Sequence, residues 1–205
     1  MESGLITAAT SQTSATPIWV ENFVAQYQMT DTSCCAEAIF SANRSTRWNQ
    51  SLTVGGASLY DRDSDQLHFT PEGPPAEHEP ILAFAQECLD HYTKERKQAG
   101  NVPKFGLPEG YSILRYKPGE AYHAVHSDAG WPNLAHRHVT LGLFLNTIAE
   151  GGELEFPDQN LRIPAVEGRA VIFPAQWMYA HRSLPASSDR YVFNLFYGFM
   201  PPPPA

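Results

Sequence analysis

The sequence lacks long apolar runs and an excess of positive charge. Its 205 residues contain no uninterrupted apolar stretch of about 18 residues, so no membrane-spanning helix and no membrane partner are expected. Only 14 Lys and Arg stand against 22 Asp and Glu, which gives a formal net charge of −8. Because non-specific affinity for nucleic acid comes from Lys and Arg on phosphates, this balance argues against a nucleic-acid partner.

Cysteine is also scarce. Cys34, Cys35 and Cys88 make an odd number, and two of them are adjacent. A small secreted domain that relies on disulfides typically has an even set of spaced cysteines. The first 15 residues also lack the basic and apolar segments of a secretion signal. We therefore predict a reducing, cytoplasmic location.

The residues that are present suffice for one folded domain. Hydrophobic residues make up 42% of the chain and aromatic residues 12%, which supports a core. The length suits a single compact unit. We predict a flexible Ser/Thr/Ala-rich tail over residues 1–15, a domain over 16–200, and a solvated proline-rich end over 201–205.

The pattern of the chain changes near residue 110. Apolar residues at helical spacing predict one helix that Thr32 or Ser33 caps and that runs through Ala42, and a second from Glu79 through Lys97. Short β-rich segments then alternate with Gly, Pro, Asn and Asp; they are YSILRY, HVTLGLFLN, GELEF, LRIPA, RAVIF and RYVFNLFYGF. Such strands favour a sandwich or barrel with helices packed outside, a mainly β fold with supporting helices of the α+β class.

Three residues form a candidate metal site. His126 and Asp128 are two residues apart, so their side chains would share one face of a strand. His181 follows 53 residues after Asp128, and a barrel wall could bring it beside this pair. Two histidines and one carboxylate on one face of an octahedron leave three positions open, which is typical of non-haem Fe(II) sites.

Arg190 is the second signal, nine residues after His181 at the start of an apolar strand. A guanidinium is always charged, so burying it near the proposed iron would be costly unless it faced an anion. The distal carboxylate of 2-oxoglutarate is a suitable anion, while the 2-oxo acid end of that molecule chelates the metal. The residues alone leave open a second interpretation, in which Arg190 is a surface charge on an edge strand.

Together these motifs resemble the Fe(II)/2-oxoglutarate-dependent oxygenases of the prolyl 4-hydroxylase type. Members of that family carry H-x-D, a distal His, and a Lys or Arg nine or ten residues beyond it. The similarity covers roughly residues 17–200 and is strongest over 115–130, 139–183 and 187–199, with PIWVENFVAQ similar to the family's opening strand. The four motif positions fall on His126, Asp128, His181 and Arg190. The resemblance implies a double-stranded β-helix, or jelly roll.

The resemblance also implies an activity. The expected enzyme is a dioxygenase that uses Fe(II), 2-oxoglutarate and O2, with ascorbate as a further candidate cofactor. It would hydroxylate an unactivated C–H bond, first of all in a prolyl residue of a peptide or protein. Hydroxylation of a free amino acid or another small molecule stays open, because fold alone does not select the substrate.

Two related activities are disfavoured. Related halogenases need a vacant metal position for the halide, and the carboxylate of Asp128 fills that position. Repair oxygenases that act on alkylated bases carry a second Arg six residues after the first, where this chain has Phe196.

Further residues follow from the resemblance. Tyr116 matches a tyrosine that lines the 2-oxoglutarate pocket. Some members place a tyrosine hydroxyl near the 2-oxoglutarate tail where this chain has Phe144, so either Thr140 or another hydroxyl supplies that hydrogen bond, or binding is weaker. Arg137 is a candidate substrate contact at the entrance. Trp131 is a second one, for which a place in the core is the alternative.

Two hypotheses from other classes stay open. One is a non-catalytic jelly-roll binding module whose His and Asp residues line a pocket. The other is a cupin-like metal enzyme that uses His136, His138 and His181, although the glutamate that such a site needs is missing at the required spacing. Residues 129–135 have a loop-like composition, and closure of this loop over the oxygenase site stays a hypothesis.

Overall fold

The computed structural model describes residues 16–51 and 61–200. The predicted tails at 1–15 and 201–205 lie outside these ranges. The described helices are α1 (Ser33–Asn43), α2 (Glu79–Glu95) and α3 (Lys97–Gly100), with short 3-10 turns at Ala76–His78, Pro157–Gln159 and Trp177–Tyr179. None of these helices is long and apolar enough to cross a bilayer.

The described strands form two antiparallel sheets. In chain order they are β1 (Ile18–Glu21), β2 (Val24–Gln28), β3 (Asn49–Gln50), β4 (Asp65–Phe69), β5 (Phe105–Gly106), β6 (Tyr111–Tyr116), β7 (Arg137–Phe144), β8 (Leu154–Phe156), β9 (Leu161–Ile163), β10 (Arg169–Pro174), β11 (Arg182–Ser183) and β12 (Arg190–Phe199). The main sheet has the order β1-β2-β10-β7-β12-β6-β4-β3, with β5 also paired to β12; the minor sheet is β11-β8-β9. Two facing sheets with helices outside confirm the predicted mainly β jelly roll.

The six β-rich segments predicted after residue 110 are confirmed as strands. Apart from the irregular segment around His126, the differences lie earlier in the chain. Strand β4 has only Leu67 and Phe69 as apolar residues, so its pattern did not stand out. Helix α2 ends two residues before the predicted Lys97, because Arg96 leaves the helical conformation. Thr32 is the N-cap residue of α1, as predicted, but its side chain makes no capping hydrogen bond. Instead, the Asp31 carboxylate accepts a hydrogen bond from the Ser33 N–H at 3.0 Å.

One face of the main sheet packs against the helices. Because successive side chains of a strand point to opposite faces, alternate residues of β12 belong to the core beneath α1 and α2. The members from β12 are Tyr191, Phe193, Leu195 and Tyr197, and α2 contributes Ile81, Phe84, Ala85, Cys88, Leu89 and Tyr92. These six α2 residues are the ones at the predicted helical spacing.

The opposite, inner face of the main sheet is covered over only half of its width. Apolar residues of β2, β10 and β7 form a second core with the minor sheet; they include Val24, Val171, Phe173 and Phe144 on one side and Phe156 and Ile163 on the other. The inner face of β12, β6 and β4 forms the floor of an open cleft. The three-stranded minor sheet therefore leaves half of the inner face open to a ligand.

The three cysteines are free and buried, which confirms that they form no disulfide framework. Cys34 and Cys35 lie on α1, and Cys88 lies on α2. Burial raises the pKa of the Cys35 thiol to about 12 and raises the pKa values of Cys34 and Cys88 as well. These thiols are therefore packing residues rather than nucleophiles.

Candidate active site

His126, Asp128 and His181 meet at one end of the cleft. One ligand atom from each residue lies within 4.8 Å of the others, and among the described residues this is the only such group of His, Cys, Asp and Glu. The predicted strand around His126 is wrong, because this segment is irregular. His126 is instead joined to His181 by an isolated antiparallel bridge with N–H to carbonyl distances of 3.0 and 2.8 Å. That bridge, rather than a strand, brings the distant histidine to the pair.

Backbone carbonyls orient both imidazole rings. Nδ1 of His126 lies 3.0 Å from the Ala124 carbonyl, and Nδ1 of His181 lies 3.1 Å from the Tyr179 carbonyl. A carbonyl only accepts, so Nδ1 is assigned as the protonated donor in each ring. The Nε2 atoms each lie 3.8 Å from an oxygen of Asp128 and keep their lone pairs free. This arrangement fits a divalent metal ion held by two imidazoles and one carboxylate.

The protonation states of the pair also suit a metal ion. Burial acts to raise the pKa of Asp128, but the neighbouring His181 and His126 and a hydrogen bond from Thr140 hold it below its usual range. Burial, reinforced by His181, lowers the pKa of His126 to about 3. Near neutral pH the site therefore contains a carboxylate and a neutral His126, the forms that ligate metals.

Thr140 has a different contact from the one predicted. Its hydroxyl donates a 2.6 Å hydrogen bond to Oδ2 of Asp128. A hydroxyl has only one hydrogen to donate, so Thr140 cannot also donate to the tail of 2-oxoglutarate. Its contact is with the candidate metal ligand, and it fixes the orientation of that carboxylate.

Arg190 is buried at the other end of the same cavity. Only 1% of its surface is exposed, and β12 lies between β7 and β6, so the interpretation as a surface charge on an edge strand is wrong. One terminal nitrogen donates a 2.6 Å hydrogen bond to the Gly152 carbonyl, and the guanidinium carbon lies 4.1 Å from the centre of the Tyr116 ring. Nε is buried without a hydrogen-bond partner, and Arg190 forms no ion pair with a carboxylate of the described residues.

A buried guanidinium with an unused donor fits an anionic ligand. Burying a charge without a counter-ion is costly, so a bound carboxylate would offset that cost. The cavity has a volume of about 720 Å³ and contains Arg190, Tyr116, Phe144 and the three candidate metal ligands in its wall. The donor set at Arg190 therefore fits the distal carboxylate of 2-oxoglutarate, as the sequence predicted.

Gly152 makes room for this arginine. Its φ of +75° belongs to the left-handed region that glycine adopts readily. A Cβ at this position would lie 3.3 Å from Cδ of Arg190. The carbonyl of the same glycine accepts the hydrogen bond that orients the guanidinium.

The two candidate substrate residues both line the cavity, but in different ways. Arg137 is held by Glu109, to which its Nε donates at 2.7 Å, and it also donates to the Asp128 carbonyl at 3.3 Å and stacks on Phe196. Trp131 is 55% exposed, so its alternative place in the core is wrong. Sequence reasoning missed Glu109, because an acid 28 residues before its arginine gives no spacing signal.

The cupin-like alternative is wrong. His136 Nε2 pairs with Glu109 at 2.7 Å. His138 Nε2 lies 2.8 Å from the Ala99 carbonyl, and its ring packs between Phe105 and Phe199. Neither histidine joins His181 in a group that could hold a metal within the described part of the chain.

Comparison with known proteins agrees with this geometry. Residues 111–198 match the 2OG-Fe(II) oxygenase superfamily. A curated relative, prolyl 4-hydroxylase 13 of Arabidopsis thaliana, is 43% identical over 58 residues, which is 26% of this chain and 21% of the relative. The aligned part is thus about a fifth of that relative.

Two solved structures share the fold. A viral collagen prolyl hydroxylase from Paramecium Bursaria Chlorella virus-1, in a 2-oxoglutarate complex, is 21% identical and has a TM-score of 0.65 over 87% of this chain and 97% of its own. A Trichoplax adhaerens prolyl hydroxylase in complex with a hypoxia inducible factor peptide fragment is 18% identical, with a TM-score of 0.69 over 86% of this chain and 84% of its own.

The matched residues contain all four predicted positions, His126, Asp128, His181 and Arg190. The superfamily uses Fe(II), 2-oxoglutarate and O2, which the His-Asp-His group and the buried arginine fit. Over residues 111–198 the chain is therefore similar to 2OG-Fe(II) oxygenases, and this segment contains the candidate metal ligands and Arg190.

Proposed function

We propose that this protein is an Fe(II)- and 2-oxoglutarate-dependent dioxygenase that hydroxylates a prolyl residue of a peptide or protein. The observation that carries the proposal is a single cavity with a His-Asp-His group at one end and a buried, unpaired guanidinium at the other. A buried cation with no carboxylate of the described residues within ion-pair distance fits a site that binds an anionic cosubstrate beside the metal. The prolyl hydroxylase names of the relatives support the choice of substrate.

Four residues have the central roles in this proposal. His126, Asp128 and His181 would hold Fe(II), and Arg190 would bind and orient the distal carboxylate of 2-oxoglutarate. When bound, Fe(II) with 2-oxoglutarate and O2 supplies the oxidising power for insertion of oxygen into a C–H bond. With three protein ligands, a bound metal would have further positions available for cosubstrate and O2.

Neighbouring side chains hold this geometry and exclude water. The ring of Tyr122 stacks on His126 with centroids 3.5 Å apart. Phe173 and Phe156 pack against His181 at 4.8 and 5.6 Å. These rings restrict both imidazoles and keep the apolar side of the site dry, which favours chemistry on a bound substrate over wasteful reaction with water.

An anaerobic titration of Fe(II) and 2-oxoglutarate tests the proposal. Bidentate chelation gives a metal-to-ligand charge-transfer absorption band, which we expect in the wild-type protein and not in Asp128→Ala. His136→Ala, a histidine outside the ligand group, is the matched control and should keep the band. A metal-loaded protein without the band would contradict the oxygenase mechanism and support a binding module.

The substrate is tested separately, by 2-oxoglutarate turnover and mass spectrometry. Proline-containing peptides should gain one oxygen atom, with succinate formed in equal amount. Oxidation of free proline or of other small molecules in place of peptides would show a small-molecule hydroxylase. Omission of ascorbate should reduce the number of turnovers if it serves as a reductant.

A cytoplasmic location is part of the proposal. The three buried thiols remain unpaired, which suits a reducing compartment. Fractionation of cells that express the tagged protein at its native level would test this assignment, and recovery in a secreted fraction would contradict it.

A further inference from the structure

The open half of the inner face differs in chemistry from the covered half. Under the minor sheet, Val24 of β2, Val171 and Phe173 of β10 and Phe144 of β7 form an apolar core. On β4, β6 and β12 the inner face carries apolar residues such as Leu114 and Val192, and beside them the polar residues His68, Ser112 and Asn194, which line the cleft. Polar side chains on the floor of an open cleft can form hydrogen bonds with a bound molecule. These residues therefore indicate a polar ligand.

Three of these residues form a straight row across the strands. His68 of β4 lies opposite Ser112 of β6, and Ser112 lies opposite Asn194 of β12. Nδ1 of His68 is 3.3 Å from the Ser112 hydroxyl oxygen. We call His68, Ser112 and Asn194 the polar row.

The polar row leads away from the candidate metal site. Asn194 lies opposite Gly142 of β7, which has no side chain to block the cleft, and Gly142 is two residues from Thr140, the partner of Asp128. At the other end, His68 is exposed, and beyond β4 the sheet has only the two-residue strand β3. The row therefore runs from the reaction site to the edge of the sheet.

The spacing of the row matches an extended peptide. Neighbouring strands lie about 4.8 Å apart, so three strands place the outer members about 10 Å apart. An extended or polyproline II chain advances about 3.1 to 3.4 Å per residue, so about three residues cover this distance. The amide and hydroxyl groups of the row can donate to and accept from peptide N–H and C=O groups.

We propose that the polar row binds the backbone of about three residues on one side of the target residue, so that the substrate is an extended peptide lying across β12, β6 and β4. This inference rests on the proposed function and adds a direction and a length to it. A free amino acid at the metal would not reach Ser112 or His68. The row contains no Asp, Glu, Lys or Arg, so it suits the peptide backbone rather than charged side chains.

The test is a set of proline peptides lengthened one residue at a time on either side. In the wild type, kcat/KM should rise over about three added residues on one side only, by about 10- to 2,000-fold in total, since each hydrogen bond contributes about 2- to 13-fold. His68→Ala should remove the gain from the outermost of these residues. Ser112→Ala should remove the gain from the middle one as well, and neither variant should affect the shortest peptide.

Gln66→Ala is the matched control, because Gln66 lies on the same strand and the same face but one row away. It should leave the length dependence unchanged. Melting temperature and the Fe(II)–2-oxoglutarate absorption band of each variant show that the fold and the cosubstrate site are intact.

The outcomes distinguish a failure of the peptide-binding inference from a failure of the proposed oxygenase function. If the band and proline turnover are present but kcat/KM does not depend on length, the peptide path is wrong while the oxygenase stands. If His68→Ala lowered kcat/KM equally for all peptide lengths, the proposed role of the polar row would likewise be wrong. Absence of the band in metal-loaded wild type would overturn the oxygenase itself.

Discussion

The two faces of the main sheet are built from the same strands and differ in almost every chemical respect. On β12, the residues toward the helices are Tyr191, Phe193, Leu195 and Tyr197, all buried in one core. The residues toward the cleft include Arg190, Asn194 and Phe196. Successive side chains of a strand point to opposite faces of the sheet. One residue of β12 therefore contributes to the stability of the core, while the next one lines the cleft.

This difference explains why a charged residue is tolerated in the middle of the sheet. The helix-facing core buries apolar surface, which stabilises the fold, while the cleft face contains groups that stabilise it little or cost free energy. Substitutions on the two faces should therefore separate loss of stability from loss of binding. The following predictions test that separation.

The largest loss of stability is expected on the helix-facing side. Phe193→Ala removes a fully buried ring and should lower the free energy of unfolding by about 3–5 kcal/mol. Affinity for 2-oxoglutarate should be unchanged where the variant is folded. Phe196→Ala, three residues along and only partly buried, is the matched variant and should cost clearly less. Chemical denaturation measures both, and equal losses would contradict the separation of the two faces.

The largest loss of binding is expected at Arg190. Arg190→Met keeps much of the volume but removes the cation, so the Kd for 2-oxoglutarate should rise about 30- to 1,000-fold, equivalent to about 2–4 kcal/mol. The free energy of unfolding should not fall, because an unpaired buried charge is removed. Arg190→Lys should lose less affinity because it keeps the charge. Titration of the absorption band measures Kd, and an unchanged value would rule out this anion site.

Thr140→Val tests a contact that the structure revealed. Valine has nearly the same shape but cannot donate to Asp128, so Fe(II) affinity should fall about 10- to 100-fold. Thr93→Val is the matched control, because the Thr93 hydroxyl bonds to carbonyls of its own helix. Anaerobic metal titration should show no change there. Equal affinity in both variants would show that Thr140 does not orient the carboxylate.

The smallest effect concerns the ion pair of Glu109 with Arg137 and depends on pH. Burial acts to raise the pKa of Glu109, but Arg137 and His136 outweigh it and hold the pKa below its usual range. Stability from this pair is therefore present above the unfolded-state pKa of about 4.3 and is lost as the pH falls through the lower folded value. Glu109→Gln should cost about 1 kcal/mol at pH 7.

The loss of unfolding free energy caused by Glu109→Gln should disappear toward pH 3. Denaturation of both proteins at several pH values between 7 and 3 measures the difference. Glu72→Gln, an exposed glutamate outside the cleft, is the control and should show no such trend. A cost that is the same at every pH would contradict an electrostatic origin.

Much of the fold and of the site follows from local patterns. The alternation in YSILRY and RYVFNLFYGF predicted strands, and the helical spacing in α2 predicted its buried face. The candidate metal and anion residues were predicted because H-x-D, a distal His and an Arg nine residues later form a recognisable order. The contacts of Thr140, Glu109 and Gly152 were not predictable in this way, since each depends on a partner far along the chain.

Local sequence patterns specify which residues are able to carry the chemistry and which strands hold them. The tertiary structure specifies which half of the inner face is covered by the minor sheet and which stays open. It also decided that His68 and Asn194, 126 residues apart, belong to one row. The physical reason is that strand register is set by pairing between distant segments, so a local pattern gives the face of each residue but not its neighbour across the sheet.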